Sequence, residues 1–141
     1  MFTSKSEGCE GVKWCFDPAV LADDKGNAYI YFGGGNDEEK YVQTGRVCKL
    51  KFEKGTGIVS PDGIPKTLDT FCFFEDGEIN QIDGKYIYSY CTNWDVKEDT
   101  PYVGAVQIAA YVSSDPMNIC FFPDKIGKTK FTDEENVEHN Y

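Results

Sequence analysis

The sequence contains one histidine, one arginine and no cysteine pair in C-x-x-C spacing. A single histidine, His139, excludes a multi-histidine metal site within the chain, and the cysteine spacing argues against a zinc ribbon. Arg46 is the only arginine, and 24 acidic against 14 basic residues give a formal net charge of −10. Phosphate contacts need clustered cations, so we expect no nucleic-acid partner.

Long apolar runs are also absent. No run approaches the ~20 residues of a membrane-spanning helix, and the first residues, MFTSKSEGCEG, lack the basic region and apolar core of a signal peptide. We expect no membrane partner. Localisation stays open between the cytoplasm and, if the chain is a piece of a longer protein, secretion.

Aromatic residues are abundant, with ten Phe, nine Tyr and two Trp. A hydrophobic content of 40% in 141 residues is enough for the core of one modest domain. Tyr and Trp combine an apolar body with a polar tip, which suits half-buried strands and sugar-facing clefts. The six cysteines lie in or beside apolar segments such as VCKL and FCFF, which favours buried free thiols over a disulfide framework.

The residue pattern alternates strands and turns along nearly the whole chain. The predicted strands are 20–22, 28–32, 46–52, 78–82, 85–91 and 106–113. The first hairpin turns at DDKGN and the second at Asp83-Gly84, where Asp, Asn and Gly tolerate positive φ. No segment has helical periodicity over three turns. We therefore predict an all-β fold.

The two predicted hairpins resemble each other, with AYIYFGG in the first and KYIYSYC in the second. Their separation is about one four-stranded unit, and repeated four-stranded antiparallel units indicate a β-propeller. A β-sandwich is the alternative. A propeller needs at least four blades. The chain has strands for two blades and part of a third, so other residues or another chain would have to complete the ring.

Two carboxylates occupy positions where a polar side chain is unusual. Asp17 lies between a phenylalanine and a proline, and Glu75 directly follows two phenylalanines. Carboxylates placed this way in an aromatic-rich β protein suggest acid chemistry on a sugar. From the residues alone, an Asp-Pro pair at a strand start is more often only a turn or cap, and Asp76 or Glu78 competes with Glu75 for the acid role.

Three segments resemble glycoside hydrolase family 43. Residues 14–34, with Asp17-Pro18, an Asp-rich Gly turn and AYIYFG, resemble its second-blade motif. Residues 73–90, with FFE, a later Ile, then DGKY and YS, resemble its third-blade motif, and IAAYVSSDPM resembles the strand that follows. Order and spacing agree, and the resemblance covers roughly residues 12–127.

The resemblance implies a five-bladed propeller, of which residues 1–141 would form a partial domain with the second and third blades and the start of the next. It implies an inverting glycosidase of β-xylosidase or α-L-arabinofuranosidase type, acting on xylosidic or arabinosidic linkages of plant cell-wall oligosaccharides or polysaccharides. By motif position, Glu75 is the general acid and Asp17 is the carboxylate that modulates its pKa.

The sequence departs from the family pattern in two respects. The catalytic base, an Asp upstream of Asp17, has no counterpart in residues 1–16, where Glu7 and Glu10 lie in a Gly-rich stretch. The cavity histidine of the family is not convincingly matched by His139. We therefore expect little or no hydrolysis by this chain alone. We expect no cofactor, although some relatives hold calcium on the propeller axis, which leaves calcium open for the complete domain.

Five residues are candidates for substrate binding: Trp14, Phe32, Gly33, Phe73 and Trp94. Aromatic faces stack on sugar rings, and glycine permits close backbone approach; packing in the core or at its rim explains the same residues equally well. Two other functions remain open. One is a non-catalytic carbohydrate-binding module. The other is an inactive truncation whose exposed strand edges self-associate or pair with a second chain.

Overall fold

The computed structural model describes residues 1–35, 44–70, 73–92, 108–119, 130–132 and 138–140. Within these ranges every regular element is a β-strand, which confirms the all-β prediction. The strands are β1 (Ala19–Ala22), β2 (Ala28–Phe32), β3 (Arg46–Phe52), β4 (Val59–Pro61), β5 (Lys66–Thr67), β6 (Phe73–Ile82), β7 (Lys85–Thr92), β8 (Ile108–Ser113), β9 (Lys130–Thr132) and β10 (Glu138–Asn140). The described residues include no helix long and apolar enough to cross a membrane.

The first sheet is antiparallel in the order β1-β2-β3-β4, with β5 also paired to β3. β2 pairs with one edge of β3, so β4 and β5 share the other edge, at opposite ends of the strand. They form one outer strand interrupted between Pro61 and Pro65. Proline has no N–H to donate to a ladder, and an outermost strand tolerates that loss best. The sheet therefore has four strand positions.

The second sheet has the order β6-β7-β8, and β9 pairs with β10 in a separate ribbon. The register of β6 against β7 shifts twice, between Phe73 and Glu75 and again between Glu75 and Glu78. Each shift places an extra residue on β6, which is a β-bulge. These bulges break the alternation of apolar and polar residues. The sequence therefore indicated a strand only from residue 78, five positions after β6 begins.

The core lies between the two sheets and is made largely of tyrosine. Tyr29 and Tyr31 of β2 pack with Tyr86, Tyr88 and Tyr90 of β7 in one buried cluster. The rings of Tyr31 and Tyr88 are 5.4 Å apart. Strands β1 and β2 both contact β6, so the first strand of one sheet lies beside the first strand of the other.

The segment before β1 covers the far side of the first sheet. Phe2 stacks on Phe32 with ring centroids 4.8 Å apart, and Cys9 and Val12 pack in the same small cluster. The prediction of free thiols is confirmed for the four cysteines in described residues, of which Cys9 and Cys48 are buried while Cys15 and Cys91 are half-buried.

The buried hydroxyl groups of Tyr31 and Tyr88 provide a matched test of this core. The Tyr31 hydroxyl donates to the Pro116 carbonyl at 2.8 Å, whereas the Tyr88 hydroxyl has no hydrogen-bond partner among the described residues. Tyr31→Phe should therefore lower the free energy of unfolding by about 1–2 kcal/mol, because it leaves a buried carbonyl unpaired. Tyr88→Phe should be neutral or stabilising. Urea denaturation of both variants measures the difference, and equal losses would contradict this account of the core.

Candidate active site

Asp17 immediately precedes the first hairpin. Its φ is 48°, in the left-handed region that Asp and Asn adopt more readily than other residues with a Cβ. The Phe16 carbonyl accepts a hydrogen bond from the Gly33 N–H at 3.2 Å, which fixes the residue before the carboxylate. A non-glycine residue held in this region marks a constrained position of the kind found at functional sites.

Glu75 lies on β6 opposite Cys91 of β7, with a bulge on each side of it. The residue before it is also held, because the Phe74 carbonyl accepts a hydrogen bond from the Gly35 N–H at 2.7 Å. Bulges re-aim side chains and are frequent beside active sites. Glu75 is therefore positioned by irregular backbone.

Gly33, Gly34 and Gly35 connect the two carboxylate segments. A Cβ on Gly34 would lie 2.7 Å from the Cβ of Trp14, and a Cβ on Gly35 would lie 2.8 Å from the Cα of Phe74. A side chain does not fit at either contact. Residues 33–35 thus lie in close contact with the backbone before Asp17 and with the backbone before Glu75.

A cavity of about 520 Å³ opens between the start of β1 and the middle of β6. Its lining residues are Asp17, Pro18, Ala19, Val20, Asp76, Gly77, Glu78 and Ile79. Asp17 lines it directly. Glu75 does not, although the four residues that follow Glu75 do.

The pKa values of both carboxyl groups are raised. For Glu75 the causes are burial first, then the charge of Asp76, then the charge of Asp17. For Asp17, burial and the charge of Asp76 raise the pKa, and a hydrogen bond from the Asp76 backbone offsets part of that rise. The structure therefore brings Asp17 and Glu75 close enough for their charges to interact. A carboxyl group with a raised pKa stays protonated at higher pH, as a general acid must.

Comparison with known proteins identifies relatives of this chain. Arabinoxylan arabinofuranohydrolases of Paenibacillus polymyxa and of Bacillus subtilis (strain 168) are each 37% identical to the chain, over 138 and 102 residues. A crystal structure of a glycoside hydrolase family 43 arabinoxylan arabinofuranohydrolase from Bacillus subtilis, in complex with cellotetraose, superposes on 83% of the chain with a TM-score of 0.70 and 34% identity. The chain matches a partial glycoside hydrolase family 43 domain.

Another structure, an α-L-arabinofuranosidase of Clostridium thermocellum, covers 83% of the chain with a TM-score of 0.62 and 30% identity. The two curated relatives align with 94% and 67% of this chain, which spans only 21% and 19% of their own lengths. The chain covers 25% and 34% of the two structures. It therefore matches part of a family 43 protein. No family model matches the sequence.

The family match confirms the prediction of propeller blades. The β-sandwich alternative is wrong, because most of the chain superposes on a family 43 structure. The first sheet has the four strand positions of a propeller blade, and β6, β7 and β8 form a second antiparallel sheet.

The predicted substrate-binding residues fall in different environments in this chain. Phe32 is buried beneath Phe2, and Phe73 is 1% exposed and packs on Tyr90 at 5.4 Å, so the structure places both rings in the interior. Packing, the other interpretation of these two residues, matches their positions. Among the aromatic candidates in described residues, only Trp14 is exposed, at 41%.

Trp14 and Gly33 do not line the cavity either. The ring of Trp14 is edge-on to Phe16 at 5.9 Å, with the Lys13 Nζ 4.6 Å from its centroid. Gly33, with φ 143°, approaches the carbonyl of Thr44. Trp94 lies outside the described residues.

Asp23 and Asp24 are turn residues, as the hairpin pattern predicts. Asp23 Oδ1 accepts hydrogen bonds from the backbone N–H groups of Lys25 and Asn27 at 3.0 and 2.7 Å. Burial raises the pKa of Asp23, but its hydrogen bonds outweigh burial, so the pKa is lowered overall. Asp23 is therefore an ionised structural residue.

Asp76 has a larger part in the site than the sequence predicted. From the sequence it is only a competitor for the acid role, yet the residue lines the cavity and its charge raises the pKa of both carboxyl groups. The available signal was the Asp-Gly pair at 76–77, which favours positive φ inside a strand, as it does in the turn at Asp83-Gly84.

The described residues contain no group of three His, Cys, Asp or Glu that could hold a metal ion. One family 43 structure, a β-xylosidase/α-arabinofuranosidase from a compost metagenome, is described as a calcium-free form and shares 22% identity with the chain. That likeness extends to the fold alone.

Proposed function

We propose that this chain supplies the second and third blades of a five-bladed propeller, and that the protein carrying it hydrolyses arabinosidic or xylosidic linkages of arabinoxylan. Glu75 is the general acid, and Asp17 contributes to keeping it protonated. The observation that carries the proposal is that β1 and β6 are neighbours and bring two carboxyl groups of raised pKa together beside one cavity. The names of the two curated relatives support arabinoxylan as the substrate.

The reaction needs one protonated carboxyl group and one carboxylate. Glu75 gives its proton to the glycosidic oxygen as the bond from that oxygen to the anomeric carbon breaks, and the oxygen leaves with the bonding pair. A water molecule attacks the anomeric carbon from the opposite face and gives its proton to the base. In inverting enzymes the two carboxyl groups are ~6.5–9.5 Å apart, which leaves room for this water. We assign the base to no described residue.

Glu75→Gln tests the acid role in the full-length protein that carries these residues. Gln keeps the shape of the side chain but has no proton to give, so kcat on arabinoxylan should fall by about 10²–10⁴. The fall should be much smaller on an aryl arabinofuranoside whose phenolate leaves without protonation. Binding of arabinoxylan oligosaccharides, measured by calorimetry, should be retained.

Glu78→Gln is the matched control, because Glu78 lies on the same strand and lines the cavity. It should lower kcat far less than Glu75→Gln does. If Glu78→Gln shows the dependence on leaving group and Glu75→Gln does not, the acid is Glu78 and the assignment is wrong. If the wild-type full-length protein binds the oligosaccharides without turnover, a non-catalytic binding module replaces the hydrolase.

A further inference from the structure

We propose that Asp76 is a positioning residue of the acid site, which holds Asp17 beside β6 and places a second carboxylate next to Glu75. The resemblance to family 43 gave the modulating role to Asp17 alone. This inference rests on the proposed function, in which Glu75 is the acid, and it assigns part of the control of that acid to its immediate neighbour in the chain.

The backbone of β6 explains how two consecutive carboxylates serve one site. In a regular strand, neighbouring side chains point to opposite faces. Asp76 instead lies within the second register shift, between Glu75 and Glu78, and has φ 54°. A bulge with a left-handed residue turns the chain, and Asp76 accordingly lines the same cavity as Asp17.

Packing against β7 holds the bulge in place. A Cβ on Gly77 would lie 2.8 Å from the Tyr88 Cζ and closer still to the Tyr88 hydroxyl, so the backbone after Asp76 rests directly on this ring. Tyr88 is itself fully buried in the core between the sheets. Packing against the core therefore fixes the backbone position of Asp76.

The titratable groups around Glu75 come from three segments. Asp17 precedes β1, Asp76 follows Glu75 on β6, and Cys91 faces Glu75 from β7. Burial raises the pKa of Cys91, and the charges of Asp76 and then Glu75 raise it further. Asp76 acts on Glu75 more strongly than Asp17 does. It acts on Asp17 in two opposed ways, since its charge raises the pKa of Asp17 and its backbone hydrogen bond lowers it.

Asp76→Asn separates these contributions. Asn tolerates left-handed φ and keeps the backbone N–H, so the hydrogen bond to Asp17 survives while the charge is lost. Carboxyl ¹³C NMR titration of the 141-residue chain should show the Glu75 midpoint moving to lower pH, further than in Asp17→Asn. The Asp17 midpoint should also move to lower pH, because only the raising contribution has been removed.

Asp83→Asn is the matched control. Asp83 also precedes a glycine and has φ 49°, but it lies in the exposed turn between β6 and β7. It should leave the Glu75 midpoint unchanged. Asp76→Gly, which also adopts positive φ and keeps the N–H, repeats the test if Asp76→Asn fails to fold, and it should reproduce the shift.

An unchanged Glu75 midpoint in both Asp76 variants, or an equal shift in Asp83→Asn, overturns the inference. The titration is independent of hydrolysis, so the two proposals fail separately. If Glu75 does not respond to Asp76 while Glu75→Gln still abolishes hydrolysis, only the role of Asp76 is wrong. If Glu75 responds while Glu75→Gln leaves hydrolysis intact, only the proposed function is wrong.

Discussion

Gly35→Ala is expected to lower the free energy of unfolding by about 3 kcal/mol, at the upper end of the usual cost of overpacking. The added Cβ would lie 2.8 Å from the Phe74 Cα and 3.0 Å from the Phe73 carbonyl oxygen. Both are backbone atoms, so no change of rotamer relieves the clash. Moving the chain apart would also lengthen the 2.7 Å hydrogen bond from the Gly35 N–H to the Phe74 carbonyl. Urea denaturation of the chain measures the loss.

Gly45→Ala is the control for this substitution. Gly45 is also buried and its φ is not positive, but a Cβ there would first meet the Thr70 side chain, at 3.2 Å. A side chain can adjust where a backbone cannot, so the expected loss is under about 1 kcal/mol. Equal losses in the two variants would show that close approach at Phe74 is not what requires glycine at position 35.

Arg46→Lys is expected to lower the free energy of unfolding by about 3–4 kcal/mol. Arg46 is 4% exposed, and its guanidinium donates to the carbonyls of Gly8 and Glu10 at 2.7 Å and to that of Gly45 at 3.0 Å. An ammonium on a shorter stem cannot reproduce this fork, so a buried charge would lose its partners. Burial already lowers the pKa of Arg46, which shows that its charge is costly to bury.

Arg46→Met removes the charge as well as the donors, and we therefore expect a smaller loss, about 2 kcal/mol. Lys51→Met, an exposed change on the same strand, should stay within about 0.5 kcal/mol. A local readout is the thiol of Cys9, which is fully buried and whose pKa is raised to about 11, chiefly by burial. In Arg46→Lys this thiol should react faster with an alkylating reagent. The account fails if Met costs more than Lys or if Cys9 stays protected.

The sequence was sufficient where local rules determine the structure. Alternation of apolar and polar residues predicted strands 28–32 and 46–52 with their observed bounds. The Asp-Gly turn located the second hairpin. Asp17 and Glu75 were chosen by motif, and the structure brings their charges together. The assignment of acid and modulator stays a prediction.

Features set by contacts between distant segments were not predictable. Arg46 binds backbone carbonyls 36 and 38 residues away. Every residue has a backbone carbonyl, so the sequence does not indicate which of them Arg46 binds. The bulges of β6 lie where it packs on β7, and because of them apolar and polar residues do not alternate over residues 73–77. For Phe32 and Phe73, the sequence cannot distinguish a ring that stacks on a sugar from a ring that packs in the core, because the answer depends on the neighbouring residues in the fold.

Of the three consecutive glycines at 33–35, the first and the third donate hydrogen bonds to the main chain on both sides of the site, to the carbonyls of Phe16 and Phe74. A mutational screen that scores only sugar release would therefore rank these glycines beside the carboxylates, although they carry no reactive group. Such hits report misalignment of the two blades, and a thermal melt run on each inactive clone would separate them from true losses of chemistry.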